Sequence, residues 1–151
     1  MIQRYATEMP QAPRYLLDTN VLSEAVRSRP DPQVMAWLDS LDAEQLFVSV
    51  LTLAEIRKGA LMADEARREK LMRWLNEALP LWFEDRVLGV DAAVGAEWGT
   101  MLADTAHQKL PAIDSLIAAT AAYHGLTLAT RNVKDFKRMN TTVFNPWGFR
   151  A

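Results

Sequence analysis

The 151-residue chain predicts an α/β fold: one domain with a central, mainly parallel sheet of four to five strands, flanked by helices. Short apolar runs alternate with helix-period stretches along the chain, which is the pattern of successive βαβ units. No internal repeat or low-complexity tract interrupts the alternation. Half of the residues (50%) are hydrophobic and 24% are charged, enough to bury one sizeable core.

Residues 1–14 carry Pro10 and Pro13 without clear periodicity and are expected as a loose arm before a domain spanning 15–151. Tyr15-Leu16-Leu17 climbs into Asp18 as a buried strand, delivering a carboxylate to the carboxyl edge of the sheet, where such folds bind ligands. Asp18-Thr19-Asn20 also suits a helix N-cap, and both readings stay open at this point. A short helix is expected over Val21–Arg27. Arg29-Pro30-Asp31-Pro32 breaks the chain and restarts it, with Asp31 as N-cap and Pro32 in the first helical turn. Val34, Trp37, Leu38 and Leu41 then form one apolar helical face.

A second strand is expected over Gln45–Val50, followed by a helix from Thr52 through Leu61. Asp64 to Leu79 continues helically, with Leu71, Trp74, Leu75, Ala78 and Leu79 apolar, and Pro80 is expected to stop it. Arg86–Val90 reads as a third strand, and Asp91 caps a helix running to about Ala106. Pro111 opens a helix over Ala112–His124 that Gly125 closes. Leu126–Ala129 is the fourth strand, with a short helix around Asp135 after it. Thr142-Val143-Phe144 is the candidate fifth, edge strand.

The composition excludes several chemistries. The chain has no Cys, which removes disulfides, thiolate catalysis and Cys-based zinc sites. Its two His, His107 and His124, read as surface or helix-end residues. A bound metal would therefore be held by oxygen, which favours Mg²⁺ or Mn²⁺. No stretch is long enough to span a bilayer, the start lacks a signal-peptide core, and a cytoplasmic protein is expected. The net charge of −2 argues against a broad nonspecific grip on nucleic acid, yet leaves room for a local basic rim around an acidic pocket.

Three acids sit where βα units would present them together: Asp18, Glu55 and Asp114. Glu55 has an alternative role, because Thr52-Leu53-Ala54-Glu55 matches a capping box. Asp114 lies in an almost wholly apolar helix, where an unpaired carboxylate costs several kcal/mol. Its alternative is a solvated stripe shared with Ser115. Thr130-Arg131-Asn132 brings a hydroxyl, a cation and an amide to the same edge. Acids converging without Lys or His partners would repel one another and partly protonate. A divalent cation resolves that repulsion, and it can activate water and stabilise the charge growing on a phosphodiester. Metal-dependent hydrolysis of a phosphate ester is the chemistry implied.

Leu16-Leu17-Asp18-Thr19-Asn20-Val21-Leu22-Ser23-Glu24 resembles the opening of PIN-domain ribonucleases, especially VapC-type and FitB-like toxins of bacterial toxin–antitoxin pairs. Leu53-Ala54-Glu55-Ile56-Arg57-Lys58-Gly59 resembles their second motif, and Ile113-Asp114-Ser115-Leu116-Ile117-Ala118-Ala119-Thr120-Ala121 their third. Leu128-Ala129-Thr130-Arg131-Asn132-Val133-Lys134-Asp135-Phe136 resembles the fourth, and Val143-Phe144-Asn145-Pro146-Trp147 the FitB-like ending. The motifs run in the family's order from Tyr15 to Trp147.

The resemblance implies that Asp18, Glu55 and Asp114 are the catalytic, metal-holding acids. The family's fourth acidic position falls on Asn132, a departure that favours one Mg²⁺ over two. Asp135 is the nearby substitute. Thr19, Asn20 and Thr130 would position metal or substrate. Arg57, Lys58, Arg131 and Lys134 are candidates to grip RNA phosphates. The resemblance further implies an RNA substrate, a small cognate antitoxin covering the pocket, a homodimer, and a higher toxin–antitoxin assembly as an option.

Two other classes fit parts of the pattern. A haloacid-dehalogenase-type phosphatase also places Asp after its first strand, but needs a second Asp where this chain has Asn20. A catalytically silent PIN-like module that binds RNA or protein draws support from Asn132. The five Trp are expected in core or interface, with Trp37 and Trp74 as candidates to line a partner groove.

Overall fold

The computed structural model describes residues 11–151. The first ten residues of the expected arm lie outside the described residues. Residues 11–14 form no helix or strand, and they are tied to the fold through Pro13 and Arg14. Pro13 O accepts from Gln45 Nε2 at 2.8 Å, and the Arg14 guanidinium lies 5.7 Å from the Phe47 ring centre.

Five strands form one parallel sheet: β1 (Tyr15–Leu17), β2 (Leu46–Ser49), β3 (Val87–Leu88), β4 (Thr127–Ala129) and β5 (Val143–Phe144). Their spatial order is β3-β2-β1-β4-β5, which makes β1 the centre. The register sets Leu16 opposite Phe47 on one side and opposite Leu128 on the other. Both faces of β1 are covered: Leu17 joins one core cluster and Leu16 the other, each fully buried. That double burial is why the strand reads as a continuous apolar run with no polar alternation.

Among the described residues, eight α-helices connect and cover the strands: α1 (Thr19–Glu24), α2 (Pro32–Asp39), α3 (Val50–Leu61), α4 (Glu65–Arg73), α5 (Leu79–Phe83), α6 (Ala92–Asp104), α7 (Ala112–His124) and α8 (Val133–Lys137). One face of the sheet packs on Val21, Val34, Trp37, Ile56 and Phe83. The other packs on Met101, Ile117, Ala118, Phe136 and Met139. Trp37 is core and not groove lining, stacked edge-on against Tyr15 at 4.9 Å and tilted against Phe144 at 5.3 Å.

Several boundaries differ from the sequence expectation for identifiable reasons. The second helix of the domain starts as expected, with Asp31 accepting from Gln33 N–H and Val34 N–H. α1, however, begins two residues before Val21, because Asp18 itself caps it, and stops at Glu24. The buried Glu24 carboxylate then accepts from Asp31 N–H at 2.8 Å and Arg27 Nη1 at 3.1 Å, pinning the turn that follows. α3 begins at Val50, with Ser49 as its cap, so no capping box forms at Thr52. The helical stretch does not end at Pro80. A π turn over Trp74–Ala78, with Leu79 N–H donating to Trp74 O, widens the backbone and lets α5 run through the proline. In such a turn the hydrogen bond that proline lacks, and the carbonyl its ring would strike, are displaced. Glu84, at φ +50°, ends α5 instead.

The strand order places a switch point between β1 and β4. From β1 the chain winds outward through β2 to β3, then returns to lay β4 on β1's other side. Parallel sheets open a crevice at the carboxyl ends of such neighbours, because their connecting segments leave in opposite directions. Asp18 and Thr130 are the residues directly after β1 and β4.

Candidate active site

Asp18 is both of the things its sequence allowed: it follows β1 directly, and it caps α1. Its N–H donates to Ala129 O at 3.0 Å, continuing the ladder, while Oδ1 accepts from Thr19 N–H at 2.8 Å. Oδ2 accepts from the Thr130 hydroxyl at 2.8 Å and from Asn20 Nδ2 at 3.3 Å. The carboxylate is thus held across the switch point by groups from both strand ends. The residue is only 5% exposed.

Thr19 turns outward and donates its hydroxyl to Glu55 Oε1 at 2.8 Å, joining the α1 start to α3. Glu55 is exposed and lies in the second turn of α3, because the helix starts at Val50, two residues before the expected Thr52. Thr52 is buried one turn below with its hydroxyl unpaired, so helix capping does not explain Glu55. Asp114 is half-buried at the third position of α7. Ser115 shares no solvated stripe with it: Ser115 is fully buried, accepting from Trp98 Nε1 at 2.9 Å and donating to Ala112 O at 3.0 Å. That bond ties α6 to the start of α7.

Burial holds the Asp18 carboxyl above its usual range. The Thr130 and Thr19 hydrogen bonds pull it down, and the charges of Asp114 and Glu55 push it up. Asp114 is also raised, by burial first and then by Asp135, with Arg138 opposing. The three predicted acids therefore lie in one electrostatic neighbourhood, and no cation is paired with Asp18 among the described residues. Asp135 raises Asp114 and is not among the charges that act on Asp18. Arg138, beside that pair, is a site neighbour that sequence reasoning missed. Its signal was only a three-residue spacing from Asp135 on a short helix.

Asn20 and Asn132 are framework groups. Asn20 Nδ2 also reaches Thr130 Oγ1 at 3.4 Å, and its Oδ1 accepts from Arg131 N–H at 3.2 Å. Asn132 contributes its backbone N–H to Thr130 Oγ1 at 3.0 Å, while its side chain is exposed. Arg131 lies 5.0 Å from the centre of the Trp147 ring, a cation–π arrangement that fixes its side chain at the rim. Arg57 donates to Asn76 Oδ1 at 3.0 Å, which directs it toward the π turn. Lys58 and Lys134 are exposed.

The donor set is oxygen only, and its raised, unpaired carboxylates suit a divalent cation. Among the described residues, no three acidic or His side chains already close on one metal position. That spread suits an ion that keeps waters of its own, with Asp18, Glu55 and Asp114 as the residues that would hold it, and it does not resemble a closed all-protein cage.

The model of the PIN domain family matches residues 15–141. The chain belongs to the PIN-domain family. Within it, this PIN domain is 41% identical to Toxin FitB of Neisseria gonorrhoeae over 87% of this chain and 97% of that protein. It is 35% identical to the VapC ribonuclease Y4jK of Sinorhizobium fredii, over 87% of this chain and 96% of that one. Its fold matches the crystal structure of FitAcB from Neisseria gonorrhoeae with TM-score 0.82 and 38% identity, covering 89% of this chain and 99% of that chain. The five-stranded parallel sheet flanked by helices is the one expected from the sequence. Membership in this family removes the phosphatase alternative. Asn20, which that alternative needed as a second Asp, holds Asp18 and Thr130 in place here.

Proposed function

We propose that this PIN domain is an endoribonuclease toxin that hydrolyses RNA phosphodiester bonds with Mg²⁺, or Mn²⁺, held at Asp18, Asp114 and Glu55. The observation that carries the reading is the buried Asp18 carboxylate, gripped by three protein groups yet facing two further acids and no cation. Supporting it are relatives named as a toxin and as a ribonuclease.

The bound cation would lower the pKa of an attacking water and neutralise charge growing on the phosphodiester. The chain's own residues do the rest. Thr130, Thr19 and Asn20 fix the orientation of Asp18, so both carboxylate oxygens keep defined lone pairs. Thr19 holds Glu55 toward the same mouth. Arg138 brings positive charge beside Asp114, and Arg131 follows the Thr130 that holds Asp18; both are groups an RNA phosphate would meet. Asn132 adds no charge, so the site rests on three carboxylates and takes one tightly held ion. A silent binding module would have no reason to keep the costly charge cluster of Asp18 and Asp114.

An enzyme that cuts the RNA of its own cell has to be restrained, and the partner proposed is a small cognate antitoxin covering this mouth. A homodimer, and a larger toxin–antitoxin assembly built on it, follow from the likeness to FitB. The place of action is the cytoplasm, where the RNA is. Among the described residues no helix is long and apolar enough to cross a membrane.

Asp18→Asn and Asp114→Asn decide the reading. Each is expected to reduce Mg²⁺-dependent cleavage of single-stranded RNA by about 100-fold or more, with the circular dichroism spectrum unchanged. Cleavage and growth inhibition that survive both substitutions would show the site to be elsewhere.

A further inference from the structure

Beside the acids the surface opens into a groove of about 320 Å³ that the catalytic chemistry does not account for. Thr19 and Glu55 line one end. Arg27, Arg67 and Lys70 line the rest, over an apolar floor that includes Ile56 and Leu71. The α4 spacing explains the basic wall. Positions 67, 70 and 71 fall on one helical stripe and face the groove. Glu69 and Arg73 fall outside that stripe and pair with each other at 3.4 Å.

The charges along this groove are unequal. Arg27 is neutralised by the buried Glu24 at 3.1 Å. Arg67 and Lys70 have no acidic partner among the described residues, whose ion pairs are Arg27–Glu24 and Arg73–Glu69. In a chain of net charge −2, two unpaired cations facing a groove that ends at an acidic, cation-seeking site form a sharp local dipole.

We infer that this groove is the track for the RNA strand flanking the cleaved bond, with Arg67 and Lys70 each engaging a backbone phosphate. The inference rests on the ribonuclease reading above and adds a path and a direction to it. A strand with one phosphate at the acids must leave the site past Thr19 or on the opposite side. On the Thr19 side it meets a volume comparable to one nucleotide and two free cations. The contacts are to phosphate and carry no base readout, so the track serves any single-stranded sequence. The sequence-based candidates Arg57 and Lys58 lie on the same helix as Glu55 but do not line the groove.

The test compares the purified chain with an Arg67→Gln/Lys70→Gln variant, and uses Arg73→Gln as a surface control. Binding of a fluorescein-labelled 12-nucleotide single-stranded RNA is measured by anisotropy in EDTA across a salt series. The double variant is expected to bind about tenfold or more weakly, and its log–log salt slope should flatten by about 1.4, at about 0.7 per lost phosphate contact. With Mg²⁺ present, KM for the same RNA rises while kcat holds, and hydrolysis of a dinucleotide too short to enter the groove is unchanged. Arg73→Gln leaves all five readings at wild-type values.

If the double variant binds RNA like the wild type, with the same salt slope, the groove assignment is wrong while the ribonuclease reading stands. If RNA binding persists but a neutralising partner protein no longer protects against cleavage, the groove belongs to that protein, and the RNA track is overturned. If the wild-type chain neither binds nor cleaves RNA, both readings fall together.

Discussion

The Thr130 hydroxyl donates to Asp18 Oδ2 at 2.8 Å and accepts from Asn132 N–H at 3.0 Å, so one side chain joins the ends of β1 and β4. Thr130→Val keeps the shape and removes both bonds. Asp18 Oδ2 then retains only the longer Asn20 contact, and the Asn132 N–H loses its acceptor. A buried carboxylate that loses a donor is harder to ionise. The expected result is a loss of about 1–3 kcal/mol in stability by denaturant unfolding at neutral pH. The acid limb of the cleavage pH profile should also move to higher pH. A limb that stays in place would show that Thr130 does not tune Asp18. The Asn20 amide plays a parallel part, and neither role depends on a charge. Such framework groups are hard to distinguish from ordinary caps in a sequence, because Thr and Asn serve both purposes equally well.

At the scale of elements, the site depends on where helices begin and end. α7 presents Asp114 in its first turn because Pro111 starts it and Ser115 is tied to Trp98 on α6. Its far end is closed by Gly125 at φ +65°, with Gly125 N–H donating to Ala122 O at 3.3 Å and Leu126 N–H to Ala121 O at 2.9 Å. A Cβ at Gly125 would meet nothing within 4 Å, so Gly125→Ala isolates the backbone term. Left-handed geometry costs a non-glycine residue about 1–2 kcal/mol, and a midpoint shift of that size with an unchanged denaturant slope is expected. The expected helices were legible where such punctuation is local, as at Asp31-Pro32, Asp91 and Gly125. They were misread where the deciding interaction is distant or unusual. Ser49 outcompeted Thr52 as a cap because β2 ends one residue earlier than its apolar run suggests. Pro80 failed to stop its helix because the π turn before it had already displaced the bond a proline breaks.

For the molecule as a whole, folding gathers acids whose mutual repulsion opposes the fold, and the cation proposed for the site would relieve it. The Asp18 and Asp114 carboxyls are raised above 3.8, so the native state holds their protons more tightly than the unfolded chain does. Their contribution to stability is therefore complete below the unfolded value and is lost as pH rises through the raised one. A divalent cation held at the proposed site would bind the ionised form and reverse that loss. Thermal unfolding should thus show a larger Mg²⁺-induced rise in Tm at pH 7 than at pH 4. At 100-fold excess over Kd, the gain is about 2.7 kcal/mol at neutral pH. The difference should vanish in Asp18→Asn. Equal Mg²⁺ effects at both pH values would mean that the cation binds away from these acids.

By itself the sequence determined the α/β class and the parallel sheet, and it pointed to the three acids proposed as the site. Each of these is encoded locally, in apolar runs of strand length, in first-turn residues and in motifs that keep their order. The tertiary structure decided how those residues meet. Residues far apart in the chain, Asp18 and Thr130, share a hydrogen bond only because the strand order reverses beside β1. Arg67 and Lys70, on a helix that reads as an ordinary charged surface, face the mouth beside Glu55 only because α4 packs back along α3. Charge and chemistry are properties of a residue, and sequence carries them. Which charges share a volume depends on chain crossings and helix packing, and those become definite only when the core closes.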